Sequence, residues 1–417
     1  MKILWVKANK LLPVDTGGKI RSLNLLRQLA ARHEVTLLSY YTGRRDLKYE
    51  RDIAELLPRS LTVYTGIPDT TALARGLQYL WRFPSSEPFA NSRFGSRKVR
   101  RLVSRLITTR QFDVAVCDFI MPARNFPETL ATPSVLFEHN VESILWRRRA
   151  EAERHPLNRL AYDIEARRME RFERRAVGRF HRVIAVSEND RAELAQFTEA
   201  GRIVVVPTGV DLQQFGAIAG AEPKQPVVVF LGSMDWEPNI GGVEWFCREV
   251  WGHVVAAVPA ARMKIVGRMP HARVKQLAGA TVEVTGAVPS VLDHLRQAAV
   301  FVVPLLVGGG TRLKIFEAMA AGRAIVSTSL GAEGLEVTHG ENILLADDSA
   351  SFAAEVVRVL TDDVLRRRLG HAALSLAARH DWSAIAGQFE AALREVAGES
   401  TSNGTPNVSV LGEPALS

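Results

Sequence analysis

Short apolar runs alternate with stretches of helical periodicity along most of this 417-residue chain. In the first half, the apolar runs predict strands at residues 3–6, 35–39, 61–64, 114–117, 134–138, 183–186 and 203–206. Helical patterns lie between them and include residues 20–31 and 147–180. This alternation indicates βαβ units and a largely parallel sheet.

Residues 216–226 interrupt the alternation with Gly, Ala, Pro and Lys, a composition typical of a linker or loop. The pattern then restarts, with strands predicted at 227–231, 263–266, 282–285, 300–303, 324–327 and 343–346 and helices at 241–255, 291–297, 312–321 and 349–360. We therefore predict an α/β protein with two doubly wound, Rossmann-like domains that face a cleft. In such folds ligands bind at the carboxyl ends of the strands.

The predicted domain boundaries follow from these breaks. Residues 1–210 form a first domain, residues 211–380 a second, and residues 381–397 a C-terminal helix. Residues 398–417 are rich in Ser, Thr, Gly, Asn and Pro, so a disordered tail is predicted there.

Composition narrows the class of protein. Two cysteines, Cys117 and Cys247, indicate neither a disulfide framework nor a zinc site, which fits a reducing cytoplasm. The apolar run at the N-terminus is too short for a signal peptide. The run at residues 298–307 is too short to span a bilayer and contains Pro304.

The positive charge is concentrated in the first half. Residues 1–210 contain 36 Lys and Arg against 23 Asp and Glu, whereas the remainder contains 17 against 22. Seven cations between Arg93 and Arg110 have no acid among them, while a second cluster, residues 147–182, is interleaved with glutamates and is typical of a salt-bridged helix. For the first cluster we rank an anionic membrane surface or acidic acceptor first, a solvated face second, and nucleic acid a distant third.

The segment 308–322 carries the most chemistry. Gly308, Gly309 and Gly310, with Thr311, lie between a predicted strand and a predicted helix, where backbone N–H groups can approach a ligand. Arg312 and Lys314 add two positive charges, and Glu317 follows one turn later. A ligand with phosphates and sugar hydroxyls, a sugar nucleotide, suits this set. A ligand-free turn with a solvated Lys314–Glu317 pair is the alternative.

Several motifs, taken in order, resemble the family-4 retaining glycosyltransferases of the cell-envelope polysaccharide type, which have the GT-B fold. They are Thr16-Gly17-Gly18, Val186-Ser187-Glu188, Val206-Pro207-Thr208-Gly209-Val210-Asp211, Phe230-Leu231-Gly232-Ser233, Lys264-Ile265-Val266-Gly267-Arg268, Val284-Thr285-Gly286-Ala287-Val288-Pro289 and Phe316-Glu317-Ala318-Met319-Ala320-Ala321-Gly322. The resemblance covers the chain to about residue 397. Each motif is weak alone, but their order and spacing are specific.

The resemblance implies a nucleoside diphosphate sugar bound between the domains, with the second domain holding the nucleotide. By this resemblance, Gly17 and Gly18 bind the distal phosphate or the sugar, and the backbone of Val288 binds the base. Glu317 binds the ribose, and Arg312 and Lys314 bind the diphosphate. Gly232, Arg268, Gly310 and Thr311 complete the predicted donor site. His139, after a strand, is the expected catalytic residue that positions and polarises the donor sugar, with Glu138 as a weaker neighbour.

Two departures from the family pattern stand out. Many members carry a Glu eight residues before the position of Glu317, where this chain has Gly309. Many also carry Arg and Lys soon after the first strand of the second domain, whereas residues 232–239 contain no basic residue. We interpret the pattern as a variant in which Arg312 and Lys314 supply the missing charges. A degenerate binder is the alternative.

The expected function is transfer of a hexose from a nucleoside diphosphate sugar to a lipid-linked or saccharide acceptor. No cofactor is expected, and no metal, because no aspartate motif of the metal-dependent transferases is present. We expect a cytoplasmic protein at the inner face of the plasma membrane, contacting it through residues 93–110, and no nucleic-acid partner. The C-terminal helix is expected to pack on the first domain. A non-hydrolysing nucleotide-sugar epimerase and a catalytically silent nucleotide-sugar-binding protein remain as alternatives.

Overall fold

The computed structural model describes residues 1–67, 87–153, 155–307 and 313–402, with side chains to residue 398. A seven-stranded parallel sheet forms the first domain, in the order β3-β2-β1-β4-β5-β6-β7. Its strands are β1 Lys2–Ala8, β2 Glu34–Tyr41, β3 Ser60–Tyr64, β4 Val114–Asp118, β5 Ser134–Phe137, β6 Arg182–Ala185 and β7 Ile203–Val205.

Helices cover both faces of this sheet. They are α1 Gly17–Ala30, α2 Leu47–Leu56, α3 Phe89–Ser92, α4 Arg97–Thr108, α5 Ile120–Ala123, α6 Glu142–Ala152, α7 Pro156–Arg179 and α8 Glu188–Leu194. The predicted helix 147–180 is two helices, because Pro156 lacks the N–H needed inside a helix and occupies a first-turn position of α7 instead.

A six-stranded parallel sheet forms the second domain, in the order β10-β9-β8-β11-β12-β13. Its strands are β8 Val227–Leu231, β9 Arg262–Val266, β10 Val282–Gly286, β11 Ala298–Val303, β12 Ile325–Ser327 and β13 Leu344–Leu345. The helices from the linker onward are α9 Leu212–Gly216, α10 Glu237–Trp245, α11 Trp251–Ala257, α12 Ala272–Lys275, α13 Leu292–Gln297, α14 Leu313–Ala320, α15 Ser349–Thr361, α16 Asp363–Ala377 and α17 Trp382–Ser402. A π-helical turn, Phe246–Val250, separates α10 from α11.

The central strands are buried on both faces, as expected for parallel sheets sandwiched between helices. All residues of β4, β8 and β11 are buried. The two sheets therefore form rigid platforms, and the loops at their carboxyl ends face each other across the cleft. The two-domain, doubly wound fold predicted from the sequence is confirmed.

The C-terminal helix α17 returns to the first domain. Trp382, Phe389 and Leu393 are buried in the same core as Trp5 and Phe137, and the Phe389 ring centroid lies 5.0 Å from that of Phe137. The helix continues to Ser402, five residues beyond the predicted end at 397. Residues 398–402 contain no proline, which would remove a backbone N–H donor, so the sequence permits the helix to extend through them. Residues 403–417, where the predicted tail continues, lie outside the described part.

Candidate active site between the two domains

The first wall of the cleft begins at the carboxyl ends of β1 and β4. These strands pair in parallel with Lys7 opposite Asp118, so the two side chains meet at one edge of the sheet. The Lys7 Nζ lies 3.0 Å from Asp118 Oδ2, which also accepts a hydrogen bond from Trp5 Nε1 at 2.7 Å. Burial acts to raise the pKa of Asp118, but Lys7 and His139 outweigh it and hold that pKa well below its usual range. Asp118 is therefore a buried, permanently charged anchor.

His139 is fixed between Asp118 and Arg21. Its Nε2 lies 2.7 Å from Asp118 Oδ1, and its Nδ1 lies 3.1 Å from Arg21 Nη1. Because a guanidinium only donates hydrogen bonds, Nδ1 must accept, and Nε2 carries the proton that it donates to Asp118. Burial lowers the pKa of His139 to about 4, so the ring is neutral near pH 7. The imidazole therefore has one tautomer and one orientation.

Arg21 extends this polar network to the interdomain segment. Its side chain is buried in the first domain, and its Nε donates to Thr208 Oγ1 at 2.7 Å. Burial lowers the pKa of Arg21 to about 10, which leaves it charged at pH 7. Thr208 follows β7, so the network runs from the first strand of the domain to its last.

The Gly17–Gly18 turn joins this wall to the second domain. Thr16 is the N-cap residue of α1. A Cβ on Gly18 would lie 3.6 Å from His139 Nδ1, and a Cβ on Gly17 would lie 3.0 Å from Leu313 Cδ1 at the start of α14. The structure therefore brings Gly17, Gly18 and His139 together at the cleft, with backbone rather than side chain facing the second domain.

Glu138, predicted as a weaker catalytic neighbour of His139, lies apart from this group. The two residues alternate at the end of β5: the His139 ring packs 4.5 Å from that of Phe137, whereas Glu138 lies on the opposite face with Cys117. Glu138 is fully buried, and neither carboxylate oxygen has a hydrogen-bond partner among the described residues. Burial, reinforced by Glu173 and Glu142, raises its pKa well above the usual range.

The second wall is centred on Lys314, the second residue of α14. Its Nζ donates to Asn239 Oδ1 at 2.9 Å and lies 4.3 Å from the centroid of the Phe230 ring. Gly232, which follows β8, makes room for it: a Cβ there would lie 2.9 Å from the Lys314 Nζ. The ammonium group thus occupies the end of β8, the region where the sequence itself has no basic residue.

Glu317 lies one helical turn after Lys314. Its side chain is half-buried, and within the described ranges, which leave out 308–312, Lys314 is the residue that acts electrostatically on its carboxylate. Burial raises its pKa to about 7, while the charge of Lys314 acts in the opposite direction. A carboxylate held in this way gains from hydroxyl donors, since hydrogen bonds to charged groups contribute about 1.5–3 kcal/mol.

Arg268 and Val288 lie in the loops after β9 and β10. The Arg268 guanidinium faces two carboxylates, with Nη1 3.5 Å from Asp15 Oδ2 and Nη2 4.0 Å from Asp235 Oδ2. Val288 is half-buried against the second core, and the turn before it contains Gly286 at a φ of 73°, in the left-handed region that favours glycine. The predicted residues Gly309, Gly310, Thr311 and Arg312 lie outside the described ranges.

Sequence reasoning missed several polar residues of the site. Lys7 and Asp118 each end an apolar strand, which is a signal that could have been used. Arg21, Thr208 and Asn239 gave no such signal, because their roles depend on how α1, the interdomain segment and α10 pack. Within the described ranges, no three His, Cys, Asp or Glu side chains converge to hold a metal ion.

Two family models match consecutive parts of the chain. The model "Glycosyltransferase Family 4" matches residues 16–214, and "Glycosyl transferases group 1" matches residues 225–362. The boundary between them coincides with the loop that follows α9. Each family model therefore matches the part of the chain that forms one of the two sheets.

Curated relatives are roughly 30% identical to this chain over aligned stretches that cover about half of its length or less. The phosphatidyl-myo-inositol mannosyltransferase of Mycobacterium leprae is 32% identical over 217 residues, covering 49% of this chain and 57% of that protein. The GDP-mannose:cellobiosyl-diphosphopolyprenol alpha-mannosyltransferase of Xanthomonas campestris is 28% identical over 225 residues, covering 50% and 57%. The chain spans less than two thirds of the length of the curated relatives it matches.

Solved structures show the same fold over nearly the whole chain. A sucrose-phosphate synthase from Thermosynechococcus elongatus has a TM-score of 0.66 at 17% identity, covering 95% of this chain and 99% of that one. The Anabaena protein HepE, in complex with UDP-glucose, has a TM-score of 0.64 at 15% identity, covering 95% and 100%. At such identities the likeness establishes the GT-B architecture.

Proposed function

We propose that this chain, which belongs to the two-domain glycosyltransferases whose family models it matches, is a retaining hexosyltransferase. It moves a sugar from a nucleoside diphosphate sugar to a lipid-linked or saccharide acceptor in cell-envelope polysaccharide or glycolipid synthesis. The relatives named as mannosyltransferases, with phosphatidyl-myo-inositol or cellobiosyl-diphosphopolyprenol in their names, support this acceptor class.

One observation carries the proposal: the position of Lys314 across the cleft from Gly18 and His139. Its ammonium group lies at the end of β8, with Glu317 one turn deeper and the Gly17–Gly18 backbone opposite. These groups match the parts of a sugar nucleotide. The Lys314 ammonium would bind the diphosphate, the Glu317 carboxylate the ribose hydroxyls, and the Gly17–Gly18 backbone the sugar side. Lys314 would stabilise the diphosphate as it leaves with negative charge, without a metal ion.

His139 would position the donor sugar. Its proton is held on Nε2 by Asp118, so Nδ1, beneath Gly18, is the acceptor end of the ring. Arg21 Nη1 already donates to Nδ1 at 3.1 Å, so a sugar hydroxyl would donate there only by displacing the Arg21 guanidinium. With Arg21 in place, His139 would position the sugar through the fixed ring beneath Gly18. Retention is proposed to occur by departure and attack on one face of the sugar, with the leaving phosphate assisting the acceptor hydroxyl. We assign no covalent nucleophile.

The test is incubation of the protein with UDP-, GDP- and dTDP-sugars, with and without membrane extract. Release of nucleoside diphosphate only with extract, together with a labelled glycolipid or saccharide product, supports transfer. Interconversion of the sugar without release indicates the epimerase instead. Binding with neither outcome indicates a silent nucleotide-sugar-binding protein and contradicts the proposal.

A membrane-contact role is proposed for α4, at the inner face of the plasma membrane. Val99, Val103 and Ile107 bury one face of this helix, while Arg97, Lys98, Arg100, Arg101 and Arg105 are exposed and form no ion pair with any described residue. The cluster at 147–182 differs: Arg148, Arg168, Arg174 and Arg182 all pair with glutamates. Unpaired cations on one helix face attract anionic lipid headgroups. No helix in the described ranges is long and apolar enough to cross a bilayer.

The membrane role is tested by sedimentation with phosphatidylglycerol-containing vesicles. Changing Arg97, Arg101 and Arg105 to Glu should abolish sedimentation at low salt, since each cation near an anionic surface contributes about 1 kcal/mol. The matched control changes three exposed arginines of α7, Arg167, Arg171 and Arg175, to Glu. Equal sedimentation of the α4 variant and the wild type would remove this role.

A further inference from the structure

A cavity of about 220 Å³ lies between the two domains, and its lining begins at Asn140, the residue after His139. It is bounded by the segment that follows His139, by α6 and α8 of the first domain, and by Glu333 and Gly334 of the second. Neither Lys314 nor Glu317 belongs to its lining, so it is separate from the wall assigned to the nucleotide. Its size leaves room for one sugar ring.

The charges around this cavity exclude an anionic occupant. Among the described residues that line it are three acids, Asp190, Glu193 and Glu333, and one cation, Arg148, which Glu333 neutralises through two hydrogen bonds of 2.7 and 2.6 Å. The balance is negative, which repels phosphate or carboxylate groups but provides acceptors for hydroxyl groups.

The remaining lining complements a sugar ring. Val141, Ile144 and Leu145 form an apolar side, and Asn140 and Ser187 add neutral polar groups. A pyranose presents C–H groups on its faces and hydroxyl groups around its edge, so an apolar side with carboxylates at the rim matches both. Pockets that bind small molecules commonly combine an apolar lining with a few placed polar groups.

The cavity connects with the reaction centre through two side chains. Arg21, which donates to His139, lies close enough to Asp190 for each to shift the pKa of the other. Asn140, at the cavity, is the residue that follows His139. Neither His139 nor Arg21 lines the cavity, so a sugar held there would face the cleft from the first-domain side, next to the segment that follows His139. If the donor phosphate lies at Lys314, an acceptor hydroxyl would approach from that side.

We propose that this cavity binds the neutral terminal sugar of the acceptor, and that any phosphate of a lipid-linked acceptor stays outside it. This inference rests on the proposed glycosyltransferase function, because it assigns the acceptor side of the same reaction. It predicts that the acceptor is a glycoside and that its terminal sugar ring, to which the new sugar is added, is uncharged.

The test measures two affinities separately on the full chain. Wild-type protein is first titrated with UDP and GDP. With the nucleotide bound, it is then titrated with octyl glucoside, octyl mannoside and octyl galactoside, and with the 6-phosphates of the same glycosides, all below their micellar concentrations. Ala192→Phe, which fills the cavity from an exposed helix position, should weaken binding of the glycoside at least tenfold. Glu193→Gln should weaken it about fivefold, and Glu188→Gln, the same change on the same helix outside the cavity, should match the wild type.

The outcomes separate this proposal from the function it rests on. Failure of wild-type protein to bind either nucleotide contradicts the donor site, whatever the glycosides do. Nucleotide binding with no glycoside binding, or with tighter binding of the glycoside 6-phosphates, overturns the neutral acceptor site. So does unchanged glycoside affinity in both Ala192→Phe and Glu193→Gln, with melting temperatures confirming that both are folded.

Discussion

The two walls of the cleft satisfy their charges in different ways. In the first domain, a continuous chain of hydrogen bonds joins Lys7, Asp118, His139, Arg21 and Thr208 in that order. In the second, Lys314 donates to the neutral Asn239 amide, and the Glu317 carboxylate receives no hydrogen bond from a described residue. One wall pairs its charges with one another, whereas the other presents a carboxylate to which no residue in the described ranges, which leave out 308–312, donates a hydrogen bond.

This difference assigns separate tasks to the walls. A buried charge network that is complete holds its members in one geometry, so the first wall positions groups and contributes to folding stability. A carboxylate whose pKa is raised to about 7 costs free energy whenever it is ionised without a partner. The ionised Glu317 of the second wall therefore lowers folding stability and is available to bind a ligand. Substitutions in the first wall should reduce stability, and substitutions in the second should reduce affinity.

The largest expected effect is on the stability of the first wall. Asp118→Ala leaves the buried Lys7 ammonium without its carboxylate, and removing one partner of a buried ion pair typically costs about 3–5 kcal/mol. Urea unfolding at pH 7 measures the loss. Asp52→Ala, which breaks the exposed Lys48–Asp52 pair, is the control and should cost about 0.5 kcal/mol or less. A loss below about 1 kcal/mol in Asp118→Ala would mean that the network does not hold the wall together.

The next effect belongs to the second wall and appears in affinity. Lys314→Ala should weaken binding of UDP or GDP about 30- to 100-fold, since charge-assisted contacts with phosphate contribute about 2–3 kcal/mol. Its free energy of unfolding should change by about 1 kcal/mol or less, because the ammonium lies near the surface of the cleft. Isothermal titration gives the affinity, with Lys275→Ala, an exposed cation of the same domain, as the control. If Lys314→Ala binds as tightly as that control, the phosphate role of Lys314 is wrong.

The contrast between the walls also marks what sequence can predict. Gly17, Gly18, Gly232 and Lys314 belong to local strand–loop–helix patterns, and parallel sheets bring strand ends together, so their convergence on the cleft follows from pattern alone. The pairing of Lys7 with Asp118 could not be predicted in this way. The two residues belong to β1 and β4, which are far apart in the sequence and become neighbours only in the folded sheet.

The direction in which a side chain points was the second property that the sequence did not predict. Glu138 and His139 are neighbours in sequence, and the two-residue period of the strand sends them to opposite faces. Pro156, by contrast, was a readable signal that the helix predicted at 147–180 is interrupted. Interactions within one segment were predictable, whereas those that depend on the phase of an element or on packing between segments were not.

A smaller effect should appear in the pH dependence of Glu317. Its raised pKa means that the folded protein binds a proton between about pH 4.5 and 7 that the unfolded chain does not bind, so stability falls as pH rises through this window. Ribose hydroxyls favour the ionised form, so UDP affinity should rise over the same window. Glu317→Gln should bind UDP about tenfold more weakly than wild type at pH 8.

At pH 5.5 the Glu317→Gln variant and the wild type should bind UDP almost equally, because Glu317 is then protonated. Titration of the phosphate itself affects both proteins alike and cancels in the ratio. The variant should also be the more stable of the two at pH 8, as judged by melting temperature. A constant affinity ratio from pH 5.5 to 8, or a steep drop in melting temperature, would make Glu317 structural.

The smallest expected effect is at Arg268, which has features of both walls. It lies at the end of β9 in the second domain, but its guanidinium faces Asp15 of the first domain and Asp235, at distances longer than a strong ion pair. Because two carboxylates already offset its charge and its side chain is partly exposed, little of that charge is left for a phosphate. Arg268→Ala should weaken UDP binding about threefold or less, well below the effect of Lys314→Ala measured in the same titration. A loss as large as that of Lys314→Ala would show that Arg268 exchanges its carboxylates for the diphosphate, and that the second wall holds two phosphate-binding cations among its described residues.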